Sequence, residues 1–424
     1  MDPQVEAILL LVGTVISAVL LIWLVVFRDA FGRPRAARPR VSQNRRVVRM
    51  NAVHFVGQGG PNNLRVKRVP IPTIRSDELL IRVTAVGLCF LDTWRQQDIL
   101  FECDLSKLGH ECSGKVVAVG SSVTHNFKEG DEVCAIVHGG GGCAEYVRVC
   151  AGKVLQIPST VSLVNAAALP RASCLAFYAL SILTQVARGT KILIHGAGDG
   201  VGIIALQYAK YVGCQVFAVA ETEEKLRNCQ TLGAQVCINY KKEDFSKRVK
   251  AETGEKGVDI VLDVDDRDHF QKNLDCLAIG GSLVILGFKN ENQINIDISV
   301  LVKKDINVIG GDLENLSSAR IGSLFSEAGA RFWPLIEGGH MRPVIGKVFR
   351  FSEAAEAHRA LEKHSIPGKM FYDVKGLHRT SNFARMTHKS LSFQLLLDLI
   401  CCFNISFYLF FEFFGIDFHK ARPR

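Results

Sequence analysis

The stretch with the most chemistry in it is Thr190 to Gly202, TKILIHGAGDGVG. Gly196, Gly198, Gly200 and Gly202 stand directly behind Lys191 to His195, a short apolar run of the kind a fully buried parallel strand needs. Behind the glycines Val201, Ile204, Ala205, Tyr208 and Val212 recur at helical spacing, and Gly213 marks a stop. Strand, glycine turn and helix in that order can cradle a pyrophosphate. Glycines let the backbone approach it closely, and the helix start offers unpaired N–H groups and a positive dipole end. The spacing is the variant G-x-G-x-G-x-G, and an ordinary tight turn in any α/β sheet would read the same in isolation.

The context favours a dinucleotide. A second strand, Gln215 to Ala220, arrives about 20 residues after the turn, where such folds read the ribose. An acid at that strand end would suit NADH; here Ala220 is followed by Glu221, Thr222 and Lys225. Hydroxyl and ammonium groups suit a 2′-phosphate, so the expected coenzyme is NADPH rather than NADH. Glu221 argues the other way, because a carboxylate repels that phosphate.

The 424 residues allow about two or three domains at roughly 150 residues each. A net charge of +9 suggests nucleic acid until it is located. Arg28 to Met50 holds eight arginines against Asp29, the tail beyond Lys375 adds a smaller excess, and the body from Asn51 to Lys375 is close to neutral. No basic groove is implied, and nucleic acid is set aside as a partner. The 13 cysteines show no framework spacing in a chain far too large to need disulfides, which reads as reduced thiols.

Ala7 to Phe27 is an uncharged apolar run long enough to span a bilayer. Its leading residues are acidic, it is too long for a signal-peptide core, and no good cleavage site follows, so the reading is an uncleaved anchor. The arginines on its C-terminal side place the body in the cytosol, with the endoplasmic reticulum as the expected membrane. The organisation then reads as an anchor over 1–27 and an Arg-rich linker over 28–49. A β-rich domain covers 50–161 and 341–375, a nucleotide domain 162–340, and a hydrophobic extension 376–424. In the first of these domains short strands alternate with turn clusters: Val53 to Val56, Glu78 to Val83, Gly114 to Val119, Glu132 to Val137 and Tyr146 to Val149. In the second, six strands alternate with helices: Lys191 to His195, Gln215 to Ala220, Gln235 to Ile238, Val258 to Asp263, Ser282 to Phe288 and Asn307 to Gly310. That pattern predicts an α/β fold with a doubly wound parallel sheet. Strand Gly346 to Phe349, helix Ser352 to Glu362 and strand Lys369 to Val374 return the chain to the first domain. In the tail, Leu391 to Phe411 is apolar but interrupted by Asp398. A second spanning helix would bury that charge at roughly 3 kcal/mol, so an interfacial or partner-bound segment is an equal alternative.

The segments MNAVHFVGQGGPNNLRVKRVPIP at Met50, LGHECSGKVVAVGSSV at Leu108, HGAGDGVG at His195, INYKKEDF at Ile238 and EAAEAHRALEKHSIPGKMFYDV near the end resemble a known family. Together they are similar to the medium-chain dehydrogenase/reductase superfamily, and within it to the quinone oxidoreductase branch, especially its p53-inducible type, over about Met50 to Lys375. The resemblance implies a GroES-like β-rich catalytic domain and a Rossmann nucleotide-binding domain. It implies that Lys225 and Tyr240 hold the 2′-phosphate of NADPH. The remaining coenzyme contacts would come from Gly196, Gly198, Gly200, Val201, Gly202, Thr222, Leu286, Gly287 and Phe288. Asp265 and Asp266 depart from the pattern, because members often have glycines there beside the cofactor. A homodimer through the edge of the nucleotide domain is also implied.

Zinc-dependent members hold a catalytic metal through a Cys in G-x-C-x-x-D, a Gly-His-Glu segment and a third ligand ahead of the nucleotide domain. This chain has Gly87 to Asp92 and Gly109-His110-Glu111, but Ala172 at the third position, with Cys174 two residues away. Leu91 stands where a relay hydroxyl would be. Cys89, His110, Glu111 and Cys174 are therefore the zinc ligands if zinc binds, and the favoured reading is that it does not. Cys89, Asp92, His110 and Tyr146 are the candidate residues of the catalytic cleft. The expected activity is NADPH-dependent hydride transfer to quinones or activated enones. The alternatives are a zinc alcohol dehydrogenase or aldehyde reductase, and a non-catalytic nucleotide-binding membrane adaptor.

Overall fold

The structure is a computed structural model that describes residues 48–56, 60–96, 108–124, 126–264, 269–287, 295–364 and 366–374. Apart from Val48 these belong to the unit Arg49–Arg424. The apolar run of residues 7–27, the arginine-rich stretch up to residue 47, the tail beyond Val374, and Asp265, Asp266 and Phe288 lie outside the described residues.

The first half is β-rich. Strands β1 (Arg49–Phe55) and β2 (Leu64–Pro70) form an antiparallel hairpin. β3 (Glu78–Gly87), a short helix α1 (Phe90–Gln96), β4 (Glu111–Val119), β5 (Glu132–Ile136), β6 (Tyr146–Cys150) and β7 (Val154–Gln156) follow. Helix α2 (Pro170–Phe177) leads into the second half: β8 (Lys191–His195), α3 (Gly200–Val212), β9 (Gln215–Ala220), α4 (Glu223–Leu232), β10 (Val236–Asn239) and α5 (Phe245–Glu252). Then come β11 (Val258–Asp263), α6 (Phe270–Cys276), β12 (Leu277–Ile285), α7 (Ser299–Lys304), β13 (Asn307–Gly310) and α8 (Ser318–Glu337). The chain closes with β14 (Ile345–Arg350), α9 (Ala354–Glu362) and β15 (Lys369–Asp373).

The second half is a six-stranded parallel sheet in the order β10-β9-β8-β11-β12-β13. Covered by helices on both faces, its strands read as continuous apolar runs: Ile192, Leu193, Ile194, Val216, Phe217 and Ala218 are fully buried. Strand order reverses at β8, whose neighbours are β9 and β11, and the glycine turn leaves the carboxyl end of that strand. A crevice at this switch point is where such sheets take ligands. The β-rich half is a seven-stranded sheet in the order β14-β15-β3-β4-β5-β7, with β6 also paired to β3. The last strand, β15, pairs antiparallel with β3, which brings the end of the described chain back to the first half.

Strand β2, whose residues are mostly exposed, and the three-residue β7 carry too little apolar alternation to be read in advance. β12 starts five residues before the expected Ser282, because Leu277 already pairs with Val258 ahead of an irregularity in register. Among the described residues one helical stretch, Asn165–Leu183, is long and apolar enough to cross a membrane. It is 78% buried inside the protein, packs between the halves' cores and is a core helix.

Candidate functional site

A cavity of about 590 Å³ opens at the switch point. Gly196, Asp199, Gly200 and Val201 of the glycine turn form one wall, Leu286 and Gly287 after β12 another. The β-rich half closes it with Cys89, Phe90, His364, Lys369 and Met370. Most of the lining is apolar, with Arg171, Asp199, Asp312 and Lys369 as its charged members, which suits a ligand with an apolar ring and a charged part.

The turn is built for close approach. A Cβ at Gly202 would collide with the carbonyl oxygen of Gly196, so only glycine lets α3 start so near β8. Asp199 occupies the N-cap of α3, yet its side chain makes no capping hydrogen bond. The start of this 13-residue helix therefore faces the cavity without a side-chain partner, which fits a phosphate group.

The residues expected to select the coenzyme differ in their surroundings. Thr222 caps α4, its hydroxyl accepting from the Lys225 N–H at 3.3 Å. Tyr240 is half-buried with its ring edge-on to His269 at 5.2 Å. Lys225 is not presented to the cavity. Its ammonium is 1% exposed and donates to Asp199 at 2.7 Å and to Glu221 at 2.9 Å. Burial by itself would pull the lysine down, but Asp199 and then Glu221 outweigh it and hold the group above its ordinary value.

In the β-rich half, Cys89, Asp92 and His110 have ligand-type atoms within 4.8 Å of one another. Asp92 is the hub. One carboxylate oxygen accepts from the Gly109 N–H at 2.9 Å and meets His110 Nδ1 at 2.8 Å. The other faces the Cys89 N–H at 3.4 Å and Sγ at 3.6 Å. Burial would raise the Asp92 carboxyl, but the attraction and hydrogen bond of His110 hold it well below the usual carboxylate range. Burial pushes the Cys89 thiol up, and the neighbouring Asp92 adds to this. A thiol so placed is a weak nucleophile.

These donors do not fit a catalytic zinc. Glu111 is engaged elsewhere: one oxygen pairs with Lys369 Nζ at 2.5 Å and the other accepts from the Arg171 N–H at 2.9 Å. Cys174 is fully buried in the apolar core shared with α8 and does not join the cluster, so it cannot supply the third ligand. Ala172, on the same helix, lines the cavity and has no donor. With Asp92 bonded to the histidine, Cys89 and the Nε2 of His110 are what remains, short of the three protein ligands such a site needs. Tyr146 also lies elsewhere: it packs in a small cluster with Met50, Ala52 and Ala144, away from the cavity wall.

Several cavity residues had no sequence signal. Arg171 is buried and pairs with Glu314 at 2.7 Å. Lys369 reaches from β15 to Glu111, with its stem beside Gly200. His364, in a left-handed backbone conformation (φ 52°), stacks on Phe90 at 4.2 Å and puts Nδ1 3.9 Å from Asp199. Each pair joins chain positions too far apart for spacing to reveal.

The two halves correspond to two family models. Residues 75–159 match the alcohol dehydrogenase GroES-like domain, and residues 200–321 match the zinc-binding dehydrogenase model. The chain belongs to the medium-chain dehydrogenase/reductase superfamily, with the GroES-like and Rossmann-type domains of that fold. It is 30% identical over 328 residues to a quinone oxidoreductase of Sus scrofa, covering 76% of this chain and 97% of that relative. A 2-haloacrylate reductase of Burkholderia sp is 30% identical over 310 residues, covering 71% and 92%. Among solved structures, Escherichia coli quinone oxidoreductase complexed with NADPH superposes with a TM-score of 0.71 at 27% identity, covering 76% of this chain and all of that one. This is an oxidoreductase of the medium-chain type.

Proposed function

We propose that the protein is an NADPH-dependent reductase of quinones or activated enones. The observation that carries this reading is the largely apolar cavity at the switch point, lined by an uncapped helix start and by Cys89 and Phe90. The quinone oxidoreductase and 2-haloacrylate reductase relatives act, by their names, on electron-poor conjugated carbonyl compounds, which supports the same acceptor class. When bound, the nicotinamide supplies hydride to the acceptor. The glycine turn would hold the pyrophosphate, and the apolar lining, which includes Leu286 and Gly287, would keep water from the hydride transfer. An enone takes hydride at its β-carbon and a proton from solvent at its α-carbon; a quinone takes hydride and a proton to become a hydroquinone. No triad or metal is required, in keeping with a cluster in which Asp92 and His110 are buried and bonded to each other.

The proposed setting follows the sequence: an anchor at Ala7 to Phe27, a cytosol-facing body and the endoplasmic reticulum as the membrane. A homodimer is proposed through the edge strand β13, which pairs only with β12 among the described residues. Ile279 of β12 (81%), Val302 of α7 (84%) and Val308 of β13 (43%) are exposed apolar residues, which supports a covered surface there.

The test is to follow consumption of NADPH and NADH with an ortho-quinone, an enone and an aldehyde, with and without a chelator. Chelator-insensitive oxidation of NADPH by the quinone or enone is expected. Chelator-sensitive aldehyde reduction, or tight nucleotide binding without turnover on any acceptor, overturns the reading.

A further inference from the structure

We propose that Asp199 is the residue that sets coenzyme choice, because it holds Lys225 in an ion triad and so weakens the site's grip on the 2′-phosphate of NADPH. The inference rests on the reading that the crevice takes NADPH, and it concerns how well.

Asp199 sits inside the glycine turn, between Gly198 and Gly200, and lines the cavity. An aspartate at an N-cap ordinarily accepts from the first-turn N–H groups. This one does not; its Oδ2 accepts from the ammonium of Lys225 at 2.7 Å, and Glu221 accepts from the same ammonium at 2.9 Å. The lysine stem lies against Gly198.

Charge and exposure then point the same way. Two carboxylates around one ammonium leave the group one negative charge in excess. Lys225 is 1% exposed, Glu221 8% and Asp199 25%, so the member facing an arriving ligand is the acid. His364, whose Nδ1 is 3.9 Å from the same Oδ2, also lines the cavity. A 2′-phosphate therefore meets net negative charge where a free lysine would present a positive one. The uncharged 2′-hydroxyl of NADH meets no such repulsion, and Glu221 offers it an acceptor. While Asp199 and Glu221 hold two of its three N–H donors, Lys225 has one left for a phosphate, and its charge is already countered.

The experiment measures NADPH and NADH affinities by titration calorimetry on the full chain in detergent, for wild type, Asp199→Asn, Asp199→Gly and Asp199→Asn combined with Lys225→Ala. Asn keeps the shape and removes the charge. Expected is a gain of about tenfold in NADPH affinity with about threefold or less for NADH, since neutralising one nearby charge acts mainly on the dianion. The Gly variant repeats the shift without any side chain, and Lys225→Ala in the double variant cancels it. A ratio of NADPH to NADH affinity that stays at the wild-type value in both Asp199 variants overturns the proposal while leaving the reductase reading intact. A gain that survives loss of Lys225 also overturns it. Failure of wild type and both Asp199 variants to bind either nucleotide, with melting curves intact, overturns the coenzyme reading and this inference with it.

Discussion

Gly198 lies directly against the stem of Lys225: a Cβ built on the glycine would stand 2.7 Å from the lysine Cβ and 2.8 Å from its Cγ and Cδ. The glycine turn is thus shaped by two neighbours at once, the ligand cavity on one side and a buried cation on the other. The contact is with the near part of the stem, which cannot swing aside while Asp199 and Glu221 hold the ammonium.

Gly198→Ala should therefore cost about 1–3 kcal/mol, the range for overpacking a close contact. Thermal melting and nucleotide titration check it. Lowered melting together with weakened nucleotide binding is expected, and an unchanged melting temperature would show that the stem moves freely.

Asp92 accepts from Gly109 and is bonded to His110 with both side chains fully buried. Asp92→Ala leaves buried polar groups without their partner and should destabilise by about 3–5 kcal/mol in urea unfolding. Cys89→Ser, at the edge of the same cluster, should change stability by about 1 kcal/mol or less and leave hydride transfer in place. Loss of all turnover in that serine variant would make the sulfur part of the chemistry.

His358 is buried beside Phe55, and burial pushes it down from 6.5 to about 4. Between those values the unfolded chain carries the proton and the folded one does not. The histidine's contribution is complete above pH 6.5 and is lost as pH falls towards 4. The fall amounts to at most about 3 kcal/mol. His358→Gln should flatten the stability profile in that window, measured by denaturant unfolding at stepped pH.

Removing metal should change nothing in the reductase assay. With Glu111 paired to Lys369 and Cys174 in the core, dialysis against a chelator is expected to leave NADPH oxidation intact, and elemental analysis to find well under one zinc per chain. A stoichiometric zinc whose loss abolishes turnover would restore the dehydrogenase alternative.

Val308→Asp places a charge on the open edge strand β13. If the edge pairs with a second copy, light scattering should show the variant as a monomer where wild type is a dimer. Identical masses would place any association elsewhere.

The local grammar of the chain determined a good deal. Lys191 to His195 followed by four glycines and a helical period specifies a strand, a turn and a helix wherever it occurs, because those preferences act over a few residues. The continuous apolar runs of β8, β9 and β11 likewise announce a sheet buried on both faces, and the segments around Leu108 and His195 carried the family. The tertiary structure decided what depends on residues far apart. Glu111 reads as a metal ligand in its Gly-His-Glu segment until Lys369, which arrives from the last strand, neutralises it. Cys174 sits two positions from the expected ligand site, but the turn of the helix aims it into the core. Lys225 reads as a phosphate anchor beside the nearby Glu221 until the fold brings Asp199, 26 positions earlier, onto the same ammonium. A charge's role depends on which opposite charge lies within a few ångströms, and across the chain that distance is set by the packing of elements and leaves no trace in local spacing.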